Sequence, residues 1–292
     1  MSLRAEVALP QATSYSLCLA PALVDAPRRG MVHSAFAAAA NLVFPHDFVV
    51  SLNADAQKSG VLTRALPFPG MPNGIQVKAF PFGALRPGMP VLLGAGRLVI
   101  DAVGCSLDLS GCSQWNPHII HRGMGRLHII RENAAWLARR YLETTDDHDD
   151  IISALSRMPT AFPTAANMAR ALCGRGTGLT PSGDDMLAGW MAINWLLYGP
   201  RSEVIAACQE ILAVARRQTH LLSQCWLGYA ARGCAALPIC ALLEAMAGND
   251  ERQLAAAARI VLSMGATSGR DLVRGIVLGI EDAMNRVPTE IY

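Results

Sequence analysis

One eight-residue pattern occurs twice, and it constrains the chain more than any other feature. Ser182-Gly183-Asp184-Asp185-Met186-Leu187-Ala188-Gly189 aligns with Ser268-Gly269-Arg270-Asp271-Leu272-Val273-Arg274-Gly275. Both read Ser-Gly-x-Asp-x-x-x-Gly, and both open an apolar segment with a helical period. Ser182 and Ser268 are expected as helix caps, with Asp185 and Asp271 as their capping partners. Thr180 followed by Pro181 is an equally good start for the first helix. The position between glycine and aspartate differs, and Asp184 and Arg270 are therefore the candidates for chemistry.

The first copy is preceded by Cys173-Gly174-Arg175-Gly176-Thr177-Gly178-Leu179. Glycines at alternate positions allow a bent backbone to come close to a ligand. Feeding such a loop into a helix start offers N–H groups and a helix dipole to an anion. Carboxylates in the same turn repel an anion unless a cation lies between them. Two roles are thus open for Asp184: general base, or Mg²⁺ ligand together with Asp185. Backbone at Gly176, Gly178, Gly183 and Gly269 and hydroxyls of Thr180, Ser182, Thr219, Thr267 and Ser268 complete the expected anion site. Arg270 suits a bidentate grip on a carboxylate. Thr219 and Ser223 lie one turn apart, beside Arg216, Arg217 and His220. Capping and helix packing explain the same residues without a ligand, least well for the extra glycines of the first copy.

Other chemistries are poorly supported. No Gly-x-Ser-x-Gly elbow is present, and the loop lacks the Gly-Lys-Ser/Thr ending of a P-loop. Its glycine spacing is not that of a dinucleotide-binding turn, and the segment before it is alanine-rich. The eight cysteines show no Cys-x-x-Cys pair and read as reduced core residues. Cys173, next to the loop, reads as a small buried hydrophobe. A net charge of +2 gives no electrostatic footprint for nucleic acid. The longest apolar run, Met186 to Tyr198, is too short to span a bilayer, and the N-terminus has no signal-peptide core. A cytoplasmic location is expected.

With 52% hydrophobic and 16% charged residues the chain can bury a large core. An α+β fold is expected, with a β-rich domain at 1–120 and a helical domain at 121–292 carrying both motifs. Strands are expected at Tyr15–Leu19, Asp47–Leu52, Gly74–Phe80, Pro90–Leu93 and Arg97–Val103. One helical insert is expected at Val32–Leu42 and an irregular connector at 104–118. The helical half is expected to comprise Gly123–Glu143, Ile151–Arg157, Thr164–Leu172, a buried central helix at Met186–Tyr198, and further helices to Met284, with Asn249 as one cap. The acidic run Thr144–Asp150 reads as an exposed link.

Gly176-x-Gly178-Leu179-Thr180-Pro181-Ser182-Gly183-Asp184-Asp185-x-Leu187-x-Gly189, followed by Gly265-x-Thr267-Ser268-Gly269-x-Asp271 and Gly275, resembles the family that includes the AllH-type subunit of bacterial oxamate carbamoyltransferase. His33-Ser34-x-Phe36, Asn41-Leu42, Thr219 and Ser223 look similar to it as well, so that the resemblance runs from about residue 30 to 280. It departs from the family pattern at Thr177, Gly183 and Ala266, positions that bear on the exact substrate. The resemblance implies a subunit that works with partner proteins in allantoin (purine) breakdown. The complex would move a carbamoyl group between oxalurate and phosphate, giving oxamate and carbamoyl phosphate. Two alternatives stand beside it: a non-catalytic ligand-sensing or assembly subunit, and an Mg²⁺-dependent hydrolase using Asp184 and Asp185. A homo-oligomer is compatible with either.

Overall fold

The computed structural model describes residues 9–55, 71–142 and 164–286. The chain divides into two compact units, Met1–Pro117 and His118–Tyr292. The first is built on a sheet and the second from helices, an α+β fold. The acidic run 144–150 and the helix expected at Ile151–Arg157 lie outside the described residues.

In chain order the first unit holds β1 (Gln11–Ser16), a short helix α1 (Ala20–Val24), β2 (Arg28–Ala35), β3 (Ala39–Phe44), β4 (Phe48–Ala54), β5 (Gly74–Lys78), β6 (Pro90–Gly94), β7 (Arg97–Ile100), β8 (Cys105–Asp108) and β9 (Ser113–Trp115). They form one sheet in the order β8-β7-β6-β2-β3-β4-β5-β1-β9. The β4–β5 and β1–β9 pairs are parallel and the others antiparallel. Alternate residues face the core: Ala40, Leu42 and Phe44 on β3, Val50 and Leu52 on β4, Ile75 and Val77 on β5.

Two expectations fail here. The segment 32–42 is a hairpin of β2 and β3, not a helix. Val32, Phe36 and Ala40 also fit a helical period, but the chain follows the alternation Ala40-Leu42-Phe44, which matches the pleat. A register shift between Val32 and Ser34 hid the same alternation in β2. The segment 104–118 is likewise no plain connector. Cys105 and Leu107 turn inward from β8, and Trp115 is buried on β9. These strands are too short for a pattern to stand out.

The second unit holds α2 (Leu127–Tyr141), α3 (Ala165–Leu172), α4 (Ser182–Tyr198), α5 (Ser202–Gln218), α6 (Leu221–Ala230), α7 (Leu237–Met246), α8 (Glu251–Leu262) and α9 (Ser268–Arg286). α4 is the buried central helix, with Leu187, Met191 and Ile193 fully enclosed. Gly199, with φ of +65°, follows its last residue. Asp250, rather than Asn249, caps α8 by accepting from the N–H groups of Arg252 and Gln253.

α4 packs most extensively against α9, the helix of the second motif. The two copies meet in a matching way. A Cβ on Gly189 would lie 2.1 Å from Leu272 O, and one on Gly275 would lie 1.9 Å from Met186 O. Gly189 and Gly275 are equivalent in the motif, as are Met186 and Leu272. The preceding helices match too. A Cβ on Gly183 would lie 1.9 Å from Leu172 O at the end of α3, and one on Gly269 would lie 1.8 Å from Val261 O near the end of α8. Gly183 N donates to Arg175 O, and Gly269 N donates to Met264 O. The motif is therefore the sequence trace of a duplicated helix–loop–helix unit, α3–α4 and α8–α9. Its glycines are required where helix backbones touch.

Candidate functional site

The connections in the two copies differ in length. Seven residues (176–182) separate Arg175 from Gly183, and four (265–268) separate Met264 from Gly269. The first copy thus carries three extra residues, aligned as Thr177-Gly178-Leu179. Gly174, Gly176 and Gly178 all have positive φ, +71°, +107° and +98°. Gly174 and Gly176 are also hemmed in by Gln218 O and Ser182 N. A Cβ on Gly178 would meet nothing within 4 Å, so only its backbone conformation demands glycine.

The loop residues from Arg175 to Leu179 are exposed. Among the described residues, the N–H groups of Gly176, Thr177, Gly178, Leu179, Thr180 and Ser182 donate to no protein acceptor. The first turn of α4 is less open than the sequence suggests, because Arg175 O takes the Gly183 N–H. The unbonded N–H groups therefore lie in the loop itself more than at the helix end.

Asp184 holds this loop. It is 3% exposed. Its Oδ1 accepts from Gly174 N at 2.9 Å, and its Oδ2 accepts from the Thr219 hydroxyl. Ser223 Oγ is buried beside the same carboxyl without reaching full hydrogen-bond geometry. Burial raises the Asp184 carboxyl above its usual range, while the Thr219, Gly174 and Ser223 contacts and the charge of His220 pull it back. Asp184 thus ties the glycine loop to the α5–α6 junction. Both of its oxygens are engaged in doing so. Sequence reasoning missed Gly174 as its donor, a backbone contact that leaves no mark in residue type.

Asp185 and Asp271 are not capping partners. Pro181 occupies the cap position of α4, and Ser182 is already its first helical residue. The carboxyl of Asp185 instead meets the hydroxyls of Ser268 and Thr180, and Thr180 Oγ1 lies 3.1 Å from Ser268 Oγ. Thr180, two residues before the first motif, is therefore bonded to the serine of the second. Asp271 is 1% exposed and accepts from Arg274 Nη1 at 2.8 Å. The spacing of these two, three apart on one helix, is a signal that the sequence carries. Asp184 and Asp185, the candidate Mg²⁺ pair, turn to different partners. Among the described residues no third His, Cys, Asp or Glu completes a ligand cluster with them.

Thr267 and Arg270 are part-buried around the start of α9. Cys173 is buried, and its thiol is pushed up to about 12 by burial and by the neighbouring Asp184 charge. It is a core residue with no thiolate at neutral pH.

The stretch that holds both motifs and the glycine loop is similar to a known family. Residues 172–280 match the family of oxamate carbamoyltransferase subunit AllH. The matched range runs from the last residue of α3 into α9, and so covers both eight-residue motifs and the connection before each. No solved structure matches the chain. Among the described residues no helix is long and apolar enough to cross a membrane.

Proposed function

We propose that the chain is a carbamoyltransferase subunit whose 175–180 loop binds the phosphate or carboxylate of a small substrate, in a complex acting on an oxamate- or oxalurate-like acid. The carrying observation is the run of unpartnered, exposed N–H groups in the segment by which the first copy exceeds the second. A fold that needed only the helix crossing closes with the shorter connection, as α8–α9 does. The extra residues answer to something other than packing, and consecutive free N–H groups suit an oxyanion.

In the reaction named by the family, the oxamate nitrogen bonds to the carbamoyl carbon of carbamoyl phosphate. The carbon–oxygen bond to phosphate breaks, phosphate leaves with the electron pair, and the nitrogen loses one proton, giving oxalurate. Backbone donors at the phosphate oxygens stabilise the charge that the leaving group gains. Arg270 is the proposed holder of the substrate carboxylate. Asp184, with both oxygens engaged, keeps the loop in shape rather than attacking or taking the proton. Catalysis requires the partner subunits that the family description implies.

The second copy suggests the test. Deleting Thr177–Leu179 gives the first connection the length of the second. Thermal shifts with phosphate, carbamoyl phosphate and oxamate are then measured on both proteins. The intact chain is expected to gain stability with rising ligand concentration by mass action. The deletion variant is expected to fold and show no gain. Equal gains in both proteins, or none in the intact chain with its partner subunits present, would overturn the proposal.

A further inference from the structure

Ser182 and Ser268 are equivalent in the two copies, but their hydroxyls are used differently. Ser268 Oγ lies 3.1 Å from Thr180 Oγ1 and is engaged inside the protein. Ser182 is 2% exposed, yet among the described residues its Oγ has no hydrogen-bond partner, and the atom is not sealed in protein. A hydroxyl on so buried a residue ordinarily finds a partner in the protein. Its neighbour is the glycine loop. A Cβ on Gly176 would lie 2.7 Å from Ser182 N and 3.1 Å from Ser182 Oγ. The loop therefore folds back on the first residue of α4, and a side chain at 176 would fill the space in front of those two donors. Glycine at 176 keeps them uncovered.

We propose that Ser182 is a substrate contact whose O–H donates to a phosphoryl oxygen, and that the loop above it takes the phosphate end of an acyl phosphate rather than a carboxylate. This rests on the proposed function and names which of its two kinds of anion the loop holds. The donors are more numerous and less planar than a carboxylate can use. A carboxylate offers two oxygens in one plane. A phosphoryl group offers three acceptor oxygens, arranged around a tetrahedron. Open N–H groups run from Gly176 to Thr180 and recur at Ser182, and the Ser182 hydroxyl adds to them. The sign of φ alternates along the loop, positive at Gly174, Gly176 and Gly178 and not at Arg175 or Thr177. Such alternation turns successive N–H groups to one concave side, which curves around a tetrahedral anion.

Charge points the same way. The N-terminus of α4 favours negative charge. Arg175, exposed and next to Gly176 in the chain, pairs with no carboxylate among the described residues. Asp184 and Asp185 oppose an anion, but both carboxyls meet donors of the protein, Asp184 at Gly174 N and Thr219 and Asp185 at Ser268 and Thr180. In the transfer the leaving phosphate gains charge as its bond to the carbamoyl carbon breaks, and a buried hydroxyl donor is strengthened by that charge. Ser182 keeps its proton and forms no covalent bond.

The experiment is calorimetric titration of the full chain, alone and with its partner subunits, with inorganic phosphate, carbamoyl phosphate and oxamate. The proteins are wild type, S182A and S268A. Wild type is expected to bind the two phosphates at one site, and oxamate is expected not to displace inorganic phosphate from it. S182A should bind both phosphates about tenfold to a hundredfold more weakly, the effect of one hydrogen bond to a charged group, and should bind oxamate as wild type does. Without ligand, S182A should melt with wild type, because the lost hydroxyl has no protein partner. S268A should melt lower, because Thr180 loses its partner.

Phosphate bound by S182A as tightly as by wild type would overturn the Ser182 contact and leave the loop site standing. An S182A midpoint as low as that of S268A would make the serine a structural residue and overturn it too. Oxamate displacing phosphate from wild type at comparable concentration would overturn the phosphoryl preference, and that arm needs no variant to fold. Phosphate binding that is lost in S182A but survives deletion of Thr177–Leu179 would keep Ser182 and sink the proposed role of the loop. No binding of any of the three anions, in the complex as well, would sink both.

Discussion

At the scale of single residues, Asp184 carries the sharpest expectation. Its two oxygens face two donors, an N–H and an O–H. Asp184→Asn keeps one acceptor and turns an amide N–H towards the other donor. The loss should be about 1–3 kcal/mol, the cost of leaving a buried donor unsatisfied. Urea unfolding of the variant measures it. Thr219→Ser keeps the hydroxyl and should cost less than Thr219→Ala. If Asp184→Asn unfolds at the wild-type urea concentration, the carboxyl does not hold the loop. Cys173 gives a second test. With its thiol pushed up to about 12, it should resist iodoacetamide in the native chain near neutral pH and react once unfolded. Rapid native labelling of Cys173, read by peptide mass, would contradict the buried environment.

At the scale of elements, the α4–α9 crossing should be more sensitive to one methyl group than most of the core. Gly189→Ala and Gly275→Ala each place a Cβ about 2 Å from a backbone carbonyl, which cannot swing aside as a side chain would. Each should cost about 1–3 kcal/mol or more, since the helices must move apart. Gly228→Ala is the control: it lies within α6, and nothing is within 4 Å of the new Cβ. That change should be neutral or gain up to about 1 kcal/mol from helix propensity. Equal effects at all three sites, by chemical denaturation, would mean that the crossing is looser than drawn. The repeat itself was legible in the chain, because residue types record where glycine is compulsory. The motif aspartates were misread. Capping is a local rule, and it cannot show that Ser268 would serve Asp185 from another helix. The β2–β3 hairpin was misread for a related reason. The alanines at 37–40 suit either period, and pairing with β4 decides.

At the scale of the whole molecule, each unit has a hydrophobic core of its own. One lies on the sheet around Leu42, Leu52, Ile75 and Leu98, and another lies among α3, α4, α5 and α6 around Leu172, Leu187, Met191 and Ile211. The composition announced enough apolar residues for such cores, and the change of period near residue 120 announced where one kind of element gives way to the other. It could not say which residues share a core, since that depends on strand order and helix crossing. Separate cores predict separable unfolding. Leu42→Ala removes a fully buried side chain from the first core and should cost about 2–5 kcal/mol there. Met191→Ala should cost a similar amount in the second, about 2–5 kcal/mol. Calorimetry or native-state hydrogen exchange should show each substitution weakening protection in its own unit first. The anion shifts proposed for the 175–180 loop should then fall with Met191→Ala and survive Leu42→Ala at temperatures where the second unit is folded. If either substitution lowers both units equally, the two cores unfold as one cooperative body, and the loop's competence depends on the sheet as much as on the helices that carry it.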